Sequence, residues 1–211
     1  MENPVIIFGA NGLGAVALDI FTSHNVVVYG FLDDDKKLHH TEINLVSVLG
    51  DTDDDGFLKL IGKKCEAFVA TDDAKLRKNL VEMLLEKRKM MPVNAIHKLA
   101  NIAENAVIGH GNLIALGASI NTNAVIGNHC IISANACIDY NAKIADFVQI
   151  GAGAVIGADV EIGANSFIGT GAVLVAGVKI GANARIGVGS VVVADVEKAT
   201  TVFGNPAKKV N

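Results

Sequence analysis

From Ile96 to Val192 every sixth residue of the chain is aliphatic: fifteen isoleucines, Leu174 and Val192 fill seventeen consecutive slots. A helix cannot carry that row on one face, because six is not a multiple of the 3.6-residue turn. Two residues before each slot the side chain is small: nine alanines, Val148, Val160, Val178, Ser166, Ser190, Asn94, Asn112 and Cys130. The residue after it is often glycine (109, 127, 151, 157, 163, 169, 181, 187), as expected where a backbone turns sharply and sometimes needs φ > 0. Each hexad therefore reads as a short strand and a turn, with the aliphatic and the small side chain pointing inward. Three strands close a triangular coil of eighteen residues, and stacked coils make a parallel β-helix roughly 25 Å long at a spacing of about 4.8 Å. No insertion interrupts the period.

The eighteen-residue spacing also predicts the outer surface. Lys143, Glu161 and Lys179 should stack with alternating sign on one face. Cys137, Val155, Val173 and Val191 should stack on another, and an outward apolar column suits a subunit interface, with a homotrimer as the natural assembly. Composition agrees with a regular core: 51% of residues are hydrophobic but only 5% aromatic, with no Trp and 22 Gly.

Several classes are excluded. The apolar content is too high for disorder, and no apolar run is long enough to span a bilayer. The N-terminus has no signal-peptide pattern, so a cytoplasmic location is expected. A net charge of −4 argues against a nucleic-acid partner. Cys65, Cys130 and Cys137 form neither a disulfide set nor a metal-ligand spacing, so no metal is expected.

Residues 1–91 have a different rhythm. Val5–Phe8 is a buried-strand run, followed by Gly9-Ala10-Asn11-Gly12-Leu13-Gly14 and a helix over 15–23. A strand over 26–32 ends in Asp33-Asp34-Asp35. Then come an extended piece over 45–49, a helix near 56–61 and a strand over 67–70. A last helix starts after Asp72-Asp73, with Leu76, Leu80, Met83 and Leu84 on one face. Alternating β and α units imply a small Rossmann-like parallel sheet, and Pro92 marks the junction with the prism. The Gly turn offers backbone N–H groups at a helix N-terminus, an anion site, and acids follow where such folds meet a ribose. The spacing is GxxGxG rather than GxGxxG, so a nucleotide-type ligand, a purely structural turn and a minor possibility of NAD all stay open.

Together the two halves resemble the hexapeptide-repeat acetyltransferases that include sialic acid O-acetyltransferases and UDP-4-amino-sugar N-acetyltransferases. The resemblance rests on the Gly loop, Gly30-Phe31-Leu32-Asp33-Asp34, Val48-Leu49-Gly50-Asp51, Phe68-Val69-Ala70 through Lys78, the hexads, and Gly204-Asn205-Pro206-Ala207-Lys208. It implies a left-handed β-helix over 92–194, a tail over 195–211 beside an acetyl-CoA site, and a homotrimer. It also implies direct transfer of an acetyl group to the amine or hydroxyl of a nucleotide-linked (amino) sugar. By resemblance the sugar nucleotide is held by Asn11, Gly12, Leu13, Asp33, Asp34 and Arg77, and acetyl-CoA by Thr170, Gly171, Val188 and Pro206.

The family's base is a His followed by a carboxylate, and here Tyr140 and Asn141 occupy those places; a second family His aligns with Gln149. A phenol, ordinarily titrating near pH 10, is a poor base at pH 7. His110 and His129, nearly stacked on a different corner, read as polar turn residues. Cys130 and Cys137 read as packing residues. Two readings follow: an acetyltransferase working through Tyr140, or a catalytically impaired relative that serves as a trimeric ligand-binding scaffold.

Overall fold

The run Val5–Phe8 becomes β1, buried along its whole length as an interior strand of a five-stranded sheet. The structure is a computed structural model and describes residues 3–210. Contacts divide the chain between Lys98 and Leu99. In the first unit β1 is followed by α1 (Gly12–Ser23), β2 (Val28–Leu32), β3 (Glu42–Ile43), β4 (Val46–Gly50), α2 (Asp55–Leu58), β5 (Glu66–Val69), α3 (Ala74–Arg88) and β6 (Ala95–Ile96). The sheet order is β3-β4-β2-β1-β5, parallel except for β3, which runs antiparallel to β4 at the edge. β1 is apolar throughout because a central parallel strand has helices on both faces.

Three local features depart from the sequence expectation. The helix expected from residue 15 begins at Gly12, because Asn11 caps it: its Oδ1 accepts the N–H groups of Leu13 (3.0 Å) and Gly14 (3.3 Å). β3 was not anticipated; it closes on β4 through Asn44 and Leu45, both at positive φ (46° and 69°), the geometry of a primed hairpin turn that usually takes Gly where Leu45 stands. On α3, Leu76 is exposed and Arg77 buried, opposite to the expected apolar face, because the Arg77 guanidinium donates from Nη1 to the Thr71 carbonyl at 2.7 Å. The first unit also continues past Pro92: Val93 N–H donates to the Ala67 carbonyl (2.9 Å) and Ala95 is fully buried.

The second unit is a left-handed parallel β-helix. Sixteen two-residue strands run from β7 (Asn101–Ile102) to β22 (Val191–Val192), each pairing in parallel with the strand eighteen residues away. The first face carries Asn101, Ser119, Cys137, Val155, Val173 and Val191 outward, the expected apolar column among them. On the second face Glu161 lies between Lys143 (3.8 Å) and Lys179 (3.4 Å), as the alternating charges predict. The third carries Leu113, Ile131, Gln149, Phe167 and Arg185, whose guanidinium lies 4.9 Å from the Phe167 ring centre. Inside, every aliphatic slot from Ile114 to Val192 is buried, as is every small slot from Asn112 to Ser190.

The glycines that follow the aliphatic slots are needed for a different reason than φ. None of them has a positive φ; a Cβ on Gly151 would stand 2.5 Å from Thr170 N, and one on Gly163 2.5 Å from Ala182 N. They let the next coil's backbone approach. Positive φ falls two residues later, at Gly111, His129, Gly153, Asp159, Asn165, Gly171, Asn183 and Gly189, mostly residue types that tolerate the left-handed region.

The tail extends the prism. Val196 bridges Ile180, and β23 (Thr201–Phe203) pairs in parallel with Arg185–Ile186, so Val196 and Val202 continue the aliphatic row two residues early. β24 (Lys208–Lys209) then folds back antiparallel on β23.

Candidate active site

The first unit's site is set by topology. From β1 the chain moves to β2 on one side, and β5 lies on the other, which opens a crevice at the carboxyl ends of β1 and β5. Gly9, at φ 112°, sits against the Ala70 carbonyl, and Gly14 against the Gly9 carbonyl, so both are fixed by close packing. Gly12 is different: a Cβ there would meet nothing within 4 Å. Asp33 spans the turn, accepting the Ala10 N–H (2.7 Å) on Oδ2 and the Asp35 N–H (2.9 Å) on Oδ1. His39 Nε2 donates to the Asp33 carbonyl at 2.7 Å. Asp34 turns toward β4's end, where the N–H and hydroxyl of Thr52 both donate to its Oδ1 at 2.8 Å. Asn11, Gly12, Leu13 and Asp33 thus share one loop pair, Asp34 braces the neighbouring turn, and Arg77 is buried, holding the turn between β5 and α3. The loop can offer backbone N–H groups and a side-chain-free surface at Gly12 to a phosphate or sugar.

Tyr140 and Asn141 lie at the prism corner between the first and second faces. Tyr140 is half exposed; its carbonyl accepts the Asp159 N–H (3.1 Å), which ties it to the next coil. Asn141, at φ 58°, belongs to a ladder: its Oδ1 accepts from Asn123 Nδ2 (3.3 Å), and its own Nδ2 donates to Asp159 Oδ1 (3.0 Å). Beside it a hollow of about 340 Å³ is lined by Asn123, Asn141, Lys143, Asp159 and Glu161. Gln149 is on the third face, across the triangle from that corner, so one chain does not bring it to Tyr140.

Thr170, Gly171, Val188 and Pro206 gather at the corner between the third and first faces. Gly189 N–H donates to the Thr170 carbonyl (2.9 Å), Gly204 N–H to Ser190 Oγ (3.1 Å), and Ala207 N–H to the Val191 carbonyl (2.8 Å), which lays the Gly204–Ala207 turn beside the last coil. Gly153, Gly171 and Gly189 are stacked there at positive φ, with nothing within 4 Å of a Cβ. A smooth strip with an exposed valine and a hydroxyl fits a pantetheine chain.

The third corner holds a feature the sequence did not disclose. His110 is exposed, but His129 is buried at φ 57°, its ring centre 4.9 Å from that of Phe147, itself at φ 60°. They are offset from stacking by one residue, so it is Gly111 whose missing side chain makes room for the His129 ring. Cys65 and Cys130 are buried; burial, reinforced by the Glu66 charge and opposed by Lys64, pushes the Cys65 thiol above its ordinary 9.0. Among the described residues no group of three or more His, Cys, Asp or Glu side chains is placed to hold a metal, and no helix is long and apolar enough to cross a membrane.

The arrangement defines a class: an α/β unit with a loop suited to a nucleotide-type ligand, followed by a hexapeptide-repeat prism. Residues 4–84 match the PglD N-terminal domain, and residues 141–176 and 159–194 match the bacterial transferase hexapeptide (six repeats). The chain thus carries both kinds of domain and is similar to sugar acetyltransferases that combine them. It is similar, at 29% identity, TM-score 0.90 and coverage of 100% of this chain and 98% of the other, to a histidine-to-alanine mutant of GDP-perosamine N-acetyltransferase from Caulobacter crescentus in complex with CoA and GDP-perosamine. The acetyltransferase domain of PglB from Neisseria gonorrhoeae FA1090 in complex with acetyl coenzyme A is 25% identical, with both chains covered in full and a TM-score of 0.90. WeeI from Acinetobacter baumannii AYE is 25% identical over 98% and 99% of the two chains, with a TM-score of 0.87. No curated protein matched the sequence.

Proposed function

We propose that the chain is a cytoplasmic, acetyl-CoA-dependent acetyltransferase that transfers the acetyl group directly to the amine of a nucleotide-linked sugar, and that it works as a homotrimer. The observation that carries this reading is a likeness spanning both units at once, over essentially the full length of a protein solved with CoA and GDP-perosamine. In this reading Asn11, Gly12, Leu13 and Asp33 hold the nucleotide sugar, with Asp34 and Arg77 bracing the turns behind them. Acetyl-CoA lies along Thr170, Gly171, Val188 and Pro206. Tyr140 and Gln149 lie on opposite sides of one prism, so a site that uses both draws them from two copies. The column Cys137, Val155, Val173 and Val191 is the apolar surface for that contact.

Tyr140 and Asn141 in the place of a His and its carboxylate favour a second reading, a trimer that binds both ligands and transfers nothing. General-base catalysis contributes about 10²–10⁴-fold, so its loss would leave binding with negligible turnover. Calorimetric titration with acetyl-CoA, together with CoA release from acetyl-CoA and GDP-perosamine or UDP-linked 4-amino sugars, separates the two. Turnover by the wild type supports the transferase, and its loss in Tyr140→Phe would place the phenol in the chemistry. Binding without turnover, with activity appearing in Tyr140→His, supports the scaffold. A protein that binds neither ligand sinks both.

A further inference from the structure

Asp139 follows the strand Cys137–Ile138 and precedes Tyr140 at the same corner. Its Oδ1 accepts two hydrogen bonds, from the Tyr140 backbone N–H (2.8 Å) and from Asn121 Nδ2 on the preceding coil (3.0 Å). Asn121 is itself oriented: its Oδ1 takes the Thr122 N–H at 2.8 Å, which leaves Nδ2 facing Asp139. The carboxyl group is therefore held from two sides through one oxygen, while Oδ2 accepts no hydrogen bond from the described residues. The next residue in that column is Gly157, where the following coil leaves no room for a side chain, since a Cβ would stand 2.7 Å from Ala176 N. No side chain of that column therefore covers Asp139 from the following coil.

The other acids nearby are committed elsewhere. Glu161 is neutralised between Lys143 and Lys179. Asp159 ends the Asn123–Asn141 ladder, one coil further on. The remaining titratable groups that face this turn are Tyr140 itself and Lys143 on the strand that follows; the preceding coil contributes neutral Asn121, Thr122 and Asn123.

We infer that Asp139 is the proton acceptor of this corner, its Oδ2 receiving the amino group of the substrate as an ammonium. The inference rests on the acetyltransferase reading above and names its substrate class. Acylating an ammonium releases two protons. One goes to solvent through Asp139 as nitrogen frees its lone pair. The other is shed once the N–C bond has formed and the C–S bond breaks, and passes through Asp139 to the CoA thiolate. An aspartate carboxylate is ordinarily a weaker base than imidazole by about 2.6 pKa units. It suffices for an ammonium, whose proton it can pass to solvent, and not for the far less acidic sugar hydroxyl, so the substrates are amino sugars.

The test is steady-state CoA release with acetyl-CoA and GDP-perosamine or a UDP-linked 4-amino sugar, across pH 5.5 to 9. In the wild type kcat/KM should rise with pH until the substrate amine is neutral, with no break near the imidazole value of about 6.5. Asp139→Asn keeps an oxygen for Tyr140 N–H and Asn121, so it should keep the wild-type circular dichroism while kcat falls about 10²-fold or more. Asp139→Glu should recover part of the rate, Asp159→Asn should stay close to wild type, and a sugar with a hydroxyl in place of the amine should not turn over. An active wild type with an equally active Asp139→Asn, or a break near 6.5, overturns the assignment and leaves the transferase standing. A wild type that turns over none of the amino sugars overturns the transferase reading and this inference with it.

Discussion

Gly151 and Gly153 lie two residues apart on one corner and should fail in opposite ways when given a side chain. A Cβ on Gly151 would stand 2.5 Å from Thr170 N and 2.8 Å from its Cα, about 0.9 Å short of ordinary contact, and both neighbours are backbone. Relief requires the two coils to separate, which would stretch the bond from Gly151 N–H to the Ile168 carbonyl from 2.8 Å to beyond hydrogen-bonding distance. Overpacking of about 1–3 kcal/mol and a ladder bond of about 1 kcal/mol are offset by about 0.4–1 kcal/mol from the stiffer unfolded chain. Gly151→Ala should therefore destabilise by about 2–3 kcal/mol. Gly153 has open space but sits at φ 64°, so Gly153→Ala meets only the left-handed cost of about 1–2 kcal/mol, less the same offset, and should lose about 1 kcal/mol. Gly153→Asn should be nearly neutral, because Asn135 holds that position one coil earlier at φ 58°. Gly151→Asn should be as damaging as Gly151→Ala. Urea unfolding followed by circular dichroism measures all four. If Gly151→Ala proves as stable as wild type, or Gly153→Ala proves the worse of the pair, the assignment of backbone approach to one glycine and backbone conformation to the other is wrong.

Two further outcomes follow from the same structure. Ending the chain after Ala194 removes the carbonyls of Val196, Thr200, Val202 and Gly204, which accept from Gly181, Arg185, Gly187 and Val191; the bared strand edge should pair between molecules, giving larger species in sedimentation velocity, whereas an unchanged size and melting temperature would refute the capping role. Because Cys65 keeps its proton in the folded chain above pH 9.0 and releases it in the unfolded chain, its contribution is complete below that pH and declines above it; wild type should lose more stability than Cys65→Ala between pH 8 and 10, and parallel losses would contradict this.

The prism was legible because its rule is strictly periodic: Ile150 and Val148 occupy the same inward slots as Ile168 and Ser166, and both pairs are buried as the hexad demands. The tail was not, since Val196 and Val202 keep the six-residue interval between themselves but follow Val192 after four residues, and only the bridge to Ile180 reveals the shortened coil. In the first unit β1, β2, β4 and β5 could be placed from apolar runs. Arg77 could not, because its burial depends on the Thr71 carbonyl, a backbone group with no trace in sequence pattern. The burial of His129 was not legible for a related reason: it comes from the empty space at Gly111 eighteen residues earlier and from Phe147 eighteen residues later.

At the corner of Asp139, Tyr140 and Asn141 the same regularity separates residues that backbone geometry explains from those it does not. Asn141 sits at the left-handed position of its turn, and the equivalent positions of its column are Asn123, Asp159 and Gly177, all residue types that tolerate positive φ. An Asn there, with its amide engaged above and below, is accounted for by the turn and by the ladder alone. The position just before it has no such restriction: its column holds Glu104, Thr122, Tyr140, Ala158 and Ala176. Tyr140 is therefore not dictated by the fold, and neither is Asp139, whose column continues with Asn121 and Gly157. Of the three consecutive residues at this corner, the first two are those whose identity the backbone conformation of the turn does not set.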